Sequence, residues 1–161
     1  MKTMKLQNIT PFVISFLNPA AGWLQSVFLL LFRLVWGIQF AQTGWGKLNS
    51  IDNVTSFFTD LGIPFPKLNA IIAGSTECFG GTLLVLGLAG RLISVPLAFT
   101  MLVAYATADK EAVQALFSDF DQFTKATPFP FLVAVLMVFV FGPGKISLDK
   151  LIQSRLAPQS A

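Results

Sequence analysis

Arg33 and Glu77 lie deep inside long apolar runs, whereas nearly every other charge of the chain falls in a loop or near an end. A charge at the centre of a bilayer costs roughly 2.5–3.5 kcal/mol even on lenient insertion scales, so each needs a partner, a wet cavity or a change of protonation. Arg33 is about ten residues, or ~15 Å, from the near end of its run, and Glu77 about nine, or ~14 Å, from the opposite end of an antiparallel one. Their depths therefore match. Arg33, Gly37, Phe40, Gly44 and Lys47 share one helical stripe, and Ala70, Ala73, Gly74, Glu77, Gly80 and Gly81 share another. Small residues on both stripes let two backbones approach closely, the usual packing device where lipid supplies no hydrophobic drive. The expectation is an Arg33–Glu77 ion pair between the first two membrane helices. It has two readings: a structural clasp, or the polar end of a pocket that takes a head group, a ligand or a proton.

Other residues qualify as lining for such a pocket. Trp36 and Phe40 offer aromatic walls beside Arg33, Lys47 and Gly81 continue the two stripes, and Arg91 and Tyr105 share a face of the third apolar run. Arg91 also suits a snorkelling anchor and Tyr105 an interface aromatic. Cys78, rotated away from Glu77, reads as a small apolar residue.

The chemistry is bounded by what is missing. Among 161 residues there is no histidine and one cysteine. An internal disulfide, a Cys-X-X-Cys pair, a Cys/His zinc site and a His-ligated haem are all excluded. No nucleophile–base set can be assembled except through Glu77 or a lysine, so a self-contained hydrolase or transferase is not expected. The net charge of +3 is scattered along the chain, which argues against nucleic acid as a partner. With 54% hydrophobic and 12% charged residues, the chain lacks the polar cover of a soluble domain. The partner it demands is a lipid bilayer.

The elements that must carry these residues are four apolar runs, from Trp23 to Gly46, Leu68 to Leu88, Leu92 to Ala108 and Pro128 to Phe141. A crossing takes about 20 apolar residues; the fourth run is short, but no charge interrupts it and Lys125 can snorkel at its start. Between the first pair of runs, Ile51, Val54, Phe57, Phe58 and Leu61 recur at helical spacing; between the third and fourth, Ala112, Val113, Leu116, Phe117, Phe120 and Phe123 do the same. The expected fold is all-α: a transmembrane four-helix bundle with short amphipathic interfacial helices in the two outer loops. It forms one membrane domain, with residues 1–21 as an uncleaved interfacial lead-in, 22–149 as the bundle and 150–161 as a flexible tail. With both termini inside, the inner side holds Lys2, Lys5, Arg91, Lys145, Lys150 and Arg155, and the outer side Lys47, Lys67, Lys110 and Lys125. The bias favours an N-in, C-in topology.

The order of these features resembles a known family. Arg33, Gly37, Gly44 and Lys47-Leu48, then Leu61-Gly62-Ile63-Pro64, Glu77 with Gly80-Gly81, Gly87-Leu88 with Arg91, and Gly142-Pro143-Gly144 leading into Ser147-Leu148-Asp149 are similar to the DoxX family of small four-helix membrane proteins. The likeness covers Leu31 to Asp149. It implies a bacterial cytoplasmic (inner) membrane location, and it marks Arg33, Lys47, Glu77, Gly81, Arg91 and Asp149 as the positions matching the family's recurrent charges and glycines. It also implies a link to membrane redox complexes, since name-giving relatives resemble subunits of a thiosulfate-to-quinone oxidoreductase. With no cofactor of its own, this chain would act by binding a quinone or by anchoring a membrane or extracytoplasmic redox partner. The leading expectation is a redox-complex component holding a quinone or lipid-like ligand near Arg33 and Glu77. The alternative is a non-enzymatic scaffold or assembly factor that recruits a partner through its outer helices. A solute carrier is less well supported, since four helices make a thin pathway without homo-oligomerisation.

Overall fold

The structure, a computed structural model, describes residues 9–156, with side chains from residue 21 onward. Helix α1 spans Ile9–Asn49, α2 Ile51–Asp60, α3 Pro66–Leu86 and α4 Gly90–Thr107. They are followed by α5 at Lys110–Gln114, a 3-10 turn at Ala115–Phe117, α6 at Phe120–Lys125, α7 at Pro128–Phe141 and α8 at Leu148–Leu156. No strand occurs among the described residues. The lead-in expected over 1–21 falls partly on α1, and residues 1–8 lie outside the described part. Residues 150–156, expected to trail the bundle, belong to α8, and 157–161 lie outside the described part.

Helix ends follow from local chemistry. Pro66 and Pro128 sit in the first turns of α3 and α7, where a missing N–H costs nothing. Gly87, with φ 66°, ends α3 in a Schellman arrangement, its N–H donating to Leu84 O and that of Leu88 to Leu83 O. Asp119 caps α6 by accepting from the N–H groups of Asp121 and Gln122.

Among the described residues, three helices are long and apolar enough to cross a membrane: the Ala21–Asn49 part of α1, α3 and α4. Helix α7, at 14 residues, is the shorter apolar member. Helix α1 packs mainly on α3 and α4 mainly on α7, while α3 joins the two pairs. At the junction, Phe40, Leu84, Leu97, Met101, Phe131, Val135 and Val138 form a buried core drawn from all four helices. The outward faces carry large apolar side chains, among them Leu31, Ile72, Phe79, Leu92, Phe99 and Val140. An apolar exterior of this extent has lipid as its natural solvent. One mouth of the bundle is capped by α2, α5, the 3-10 turn and α6; at the other, the loop from Gly142 to Ser147 and Asp149 in the first turn of α8 pack against Arg33 and the α3–α4 turn.

Candidate functional site

The α1–α3 seam is built from small residues. A Cβ on Gly44 would collide with the backbone of Cys78, and one on Gly81 would stand 2.5 Å from Ala41 N and 2.6 Å from Gly37 O. These contacts set Gly44 level with Cys78 and Gly37 level with Gly81 and Val85. Within this seam the side chain of Glu77 is 2% exposed, and its Oε1 accepts from Lys47 Nζ at 2.5 Å. Its second oxygen, Oε2, is buried without a partner among the described residues. Lys47 is 32% exposed, so the pair has one dry end and one end open to the surroundings.

Arg33 is not that partner. The same register puts Glu77 about twelve residues, or ~18 Å along the axis, from Arg33. The depth match in the sequence depended on starting α1 near Trp23, whereas the helix runs on from Ile9 and slides Arg33 toward the α3–α4 turn. There its guanidinium packs against Gly87, and a Cβ at that glycine would overlap Nη1. Arg33 Nη2 donates to Ile146 O at 2.7 Å, while Nε and Nη1 are buried without partners among the described residues. Countercharge arrives through space from Asp149. The Asp149 carboxylate accepts from the backbone N–H groups of Ala89 at 2.8 Å and Gly90 at 3.2 Å, and its own N–H donates to Gly87 O. Asp149 thus ties the start of α8 to the start of α4, where its negative charge also complements the helix dipole.

The remaining candidates do not converge on one pocket. Trp36 and Phe40 both meet Phe131 edge-on, with ring centroids 5.2 and 4.7 Å apart. Phe40 is wholly buried in the core, so its ring is a packing element of the bundle. Gly81 belongs to the helix seam. Arg91 and Tyr105 lie at opposite ends of α4: Arg91 is exposed near Gly142, and Tyr105 is buried, stacked on Phe123 at 4.9 Å and donating to Phe123 O at 2.9 Å. Tyr105 therefore anchors the α5–α6 cover, where an interface aromatic was the other expectation. Sequence reasoning missed the Lys47–Glu77 pair, although Lys47 is on the Arg33 stripe, and it missed the clamp made by Asp149, for which only the preceding Gly-Pro-Gly turn gave a signal.

Comparison with known proteins bears on this arrangement. The DoxX family model matches residues 28–110, just over half of the chain, and includes Arg33, Lys47, Glu77 and Arg91. The chain belongs to the DoxX family. Across 83 residues this DoxX protein is 32% identical to "Putative oxidoreductase CatD" of Bacillus subtilis, a match covering 52% of the chain and 60% of that relative. It is 30% identical over 133 residues to "Inner membrane protein YphA" of Escherichia coli, covering 80% of the chain and 93% of the relative. "Uncharacterized membrane protein Rv3486" of Mycobacterium tuberculosis is 29% identical over 134 residues, covering 79% of the chain and 82% of the relative. No solved structure matches the chain significantly. Like its relatives, this DoxX chain is a membrane protein.

Proposed function

We propose that this chain is the membrane-embedded component of a redox-linked complex in a bacterial inner membrane, and that the Lys47–Glu77 pair receives the polar end of a quinone or another lipid-like ligand. The observation that carries this reading is the buried Oε2 of Glu77, without a partner among the described residues, beside a lysine that is a third exposed. The idle carboxylate oxygen can accept from a quinol hydroxyl, while the Lys47 ammonium can donate to a quinone oxygen. Support for the redox context comes from the name of the CatD relative. Without histidine and with one cysteine, the electron carrier would be the quinone or belong to a partner protein. The lysine and arginine distribution favours both termini on the cytoplasmic side.

The test is titration of the purified protein with a short-chain ubiquinone analogue, repeated with Glu77→Gln. Saturable binding to the native chain that weakens in the variant supports the site; no saturable binding to the native chain removes it.

A second reading, a scaffold that recruits a partner at the outer mouth, is favoured by Phe117 and Phe120, which are 97% and 61% exposed on the outer cover. Co-purification from native membranes in mild detergent, lost on replacing both with serine while quinone binding persists, would select it.

A further inference from the structure

At the mouth opposite α5 and α6, a groove of about 710 Å³ opens between α1, the α3–α4 turn and the segment from Phe141 to Gln153. Three cations from different places in the chain line it: Arg91 in the first turn of α4, Lys145 in the loop after α7, and Lys150 on α8. Lys145 Nζ lies 3.3 Å from where a Cβ on Gly22 would stand, so its ammonium reaches across to α1. None of the three forms an ion pair among the described residues. The one carboxylate in the lining, Asp149, is engaged by two backbone N–H groups of the α4 start. Positive charge therefore predominates, and Arg33 adds to it from behind the loop, where it holds Ile146. The groove also has an apolar edge: Leu92 and Phe141 line it and are 76% and 53% exposed on the lipid-facing surfaces of α4 and α7.

We infer that this groove binds the phosphodiester head group of an anionic phospholipid, with an acyl chain running along Leu92 and Phe141. The arrangement puts cations at the end of a membrane helix, where head groups lie, beside an apolar track where tails lie. A zwitterionic lipid brings its own ammonium into the same space, so the groove selects net negative charge. This site lies at the α3–α4 turn, about ten residues or ~15 Å along α3 from Glu77, and stands independently of any quinone there.

The test uses the full chain in detergent, titrated with phosphatidylglycerol or phosphatidylcholine and read by native mass spectrometry. A basic side chain near an anionic lipid is worth about fivefold in affinity, so the Arg91→Gln/Lys145→Gln/Lys150→Gln protein should bind phosphatidylglycerol roughly a hundredfold more weakly. Phosphatidylcholine binding should not change. The Lys67→Gln/Lys110→Gln/Lys125→Gln protein, with equal loss of charge at the other mouth, should keep its preference. Equal losses in both triple variants, or none in the first, would overturn the inference. So would displacement of the lipid by millimolar inorganic phosphate, which would indicate a free-phosphate site. If the first triple variant does not fold, Lys145→Gln alone decides: about a fivefold drop supports the site and unchanged binding rejects it.

Discussion

Lys47 Nζ meets Glu77 Oε1 at 2.5 Å across the α1–α3 seam, and Arg33 is left to a separate set of contacts under the α3–α4 turn. Two buried charges in one bundle have thus been resolved in two ways, one by an opposite charge on a neighbouring helix and one by a carbonyl and a distant carboxylate.

Breaking the ion pair should destabilise the bundle. Glu77→Leu leaves an ammonium facing an apolar seam, and loss of one partner of a buried pair costs about 3–5 kcal/mol, reduced here to roughly 2–3 because Lys47 is a third exposed. Replacing both residues, Lys47→Met with Glu77→Leu, should recover most of that loss. Thermal unfolding in detergent of the two variants measures the difference.

The seam glycines should respond according to what lies opposite. Gly81→Ala forces a methyl into the α1 backbone and should cost roughly 1–3 kcal/mol. Gly46 has nothing within 4 Å of its Cβ position, so Gly46→Ala should stabilise by about 0.5–1 kcal/mol through helix propensity alone. Opposite shifts in melting temperature are the expected result, and equal shifts would refute the seam register.

Asp149→Ala removes the acceptor for two amides at the start of α4. The loss resembles that of a helix cap, about 1 kcal/mol. Hydrogen exchange should quicken at Ala89 and Gly90 while the amides of α7 keep their protection; unchanged exchange at those two would contradict the clamp.

Tyr105→Phe deletes the bond to Phe123 O but keeps the ring stack. The global cost should be only about 1 kcal/mol, yet the loss is concentrated on the α5–α6 cover. Limited proteolysis between Asp109 and Lys125 should accelerate severalfold in this variant and not in Phe99→Ala, whose side chain faces outward on the same helix.

The helices were legible because apolar runs, prolines at helix starts and Gly87 are local signals. So were the short helices α2, α5 and α6, whose apolar spacing needs no tertiary knowledge. Of the small-residue stripes, Gly37, Gly44, Gly74 and Gly81 do lie where α1 and α3 meet, whereas Gly80 faces Leu97 of α4. Register was not legible, since it depends on where α1 begins relative to α3, and a shift of about four helical turns exchanges Lys47 for Arg33 as the neighbour of Glu77. Asp149 was equally hidden: its partners are backbone groups 59 and 60 residues away, which side-chain chemistry alone does not reveal.

The separation of Lys47 and Glu77 by 30 positions has a bearing on how the protein is made. Helix α1 leaves the ribosome before α3, so the ammonium is already in place when the acidic helix reaches the membrane. The cation that α3 itself carries, Lys67, is ten residues or ~15 Å from Glu77, too far to pair with it, so the helix sheds the burden of its carboxylate by docking on α1. Synthesis order thus makes the first hairpin a unit of insertion: a chain stopped after α3 should integrate, whereas α3 presented alone should integrate poorly until Glu77 is made neutral.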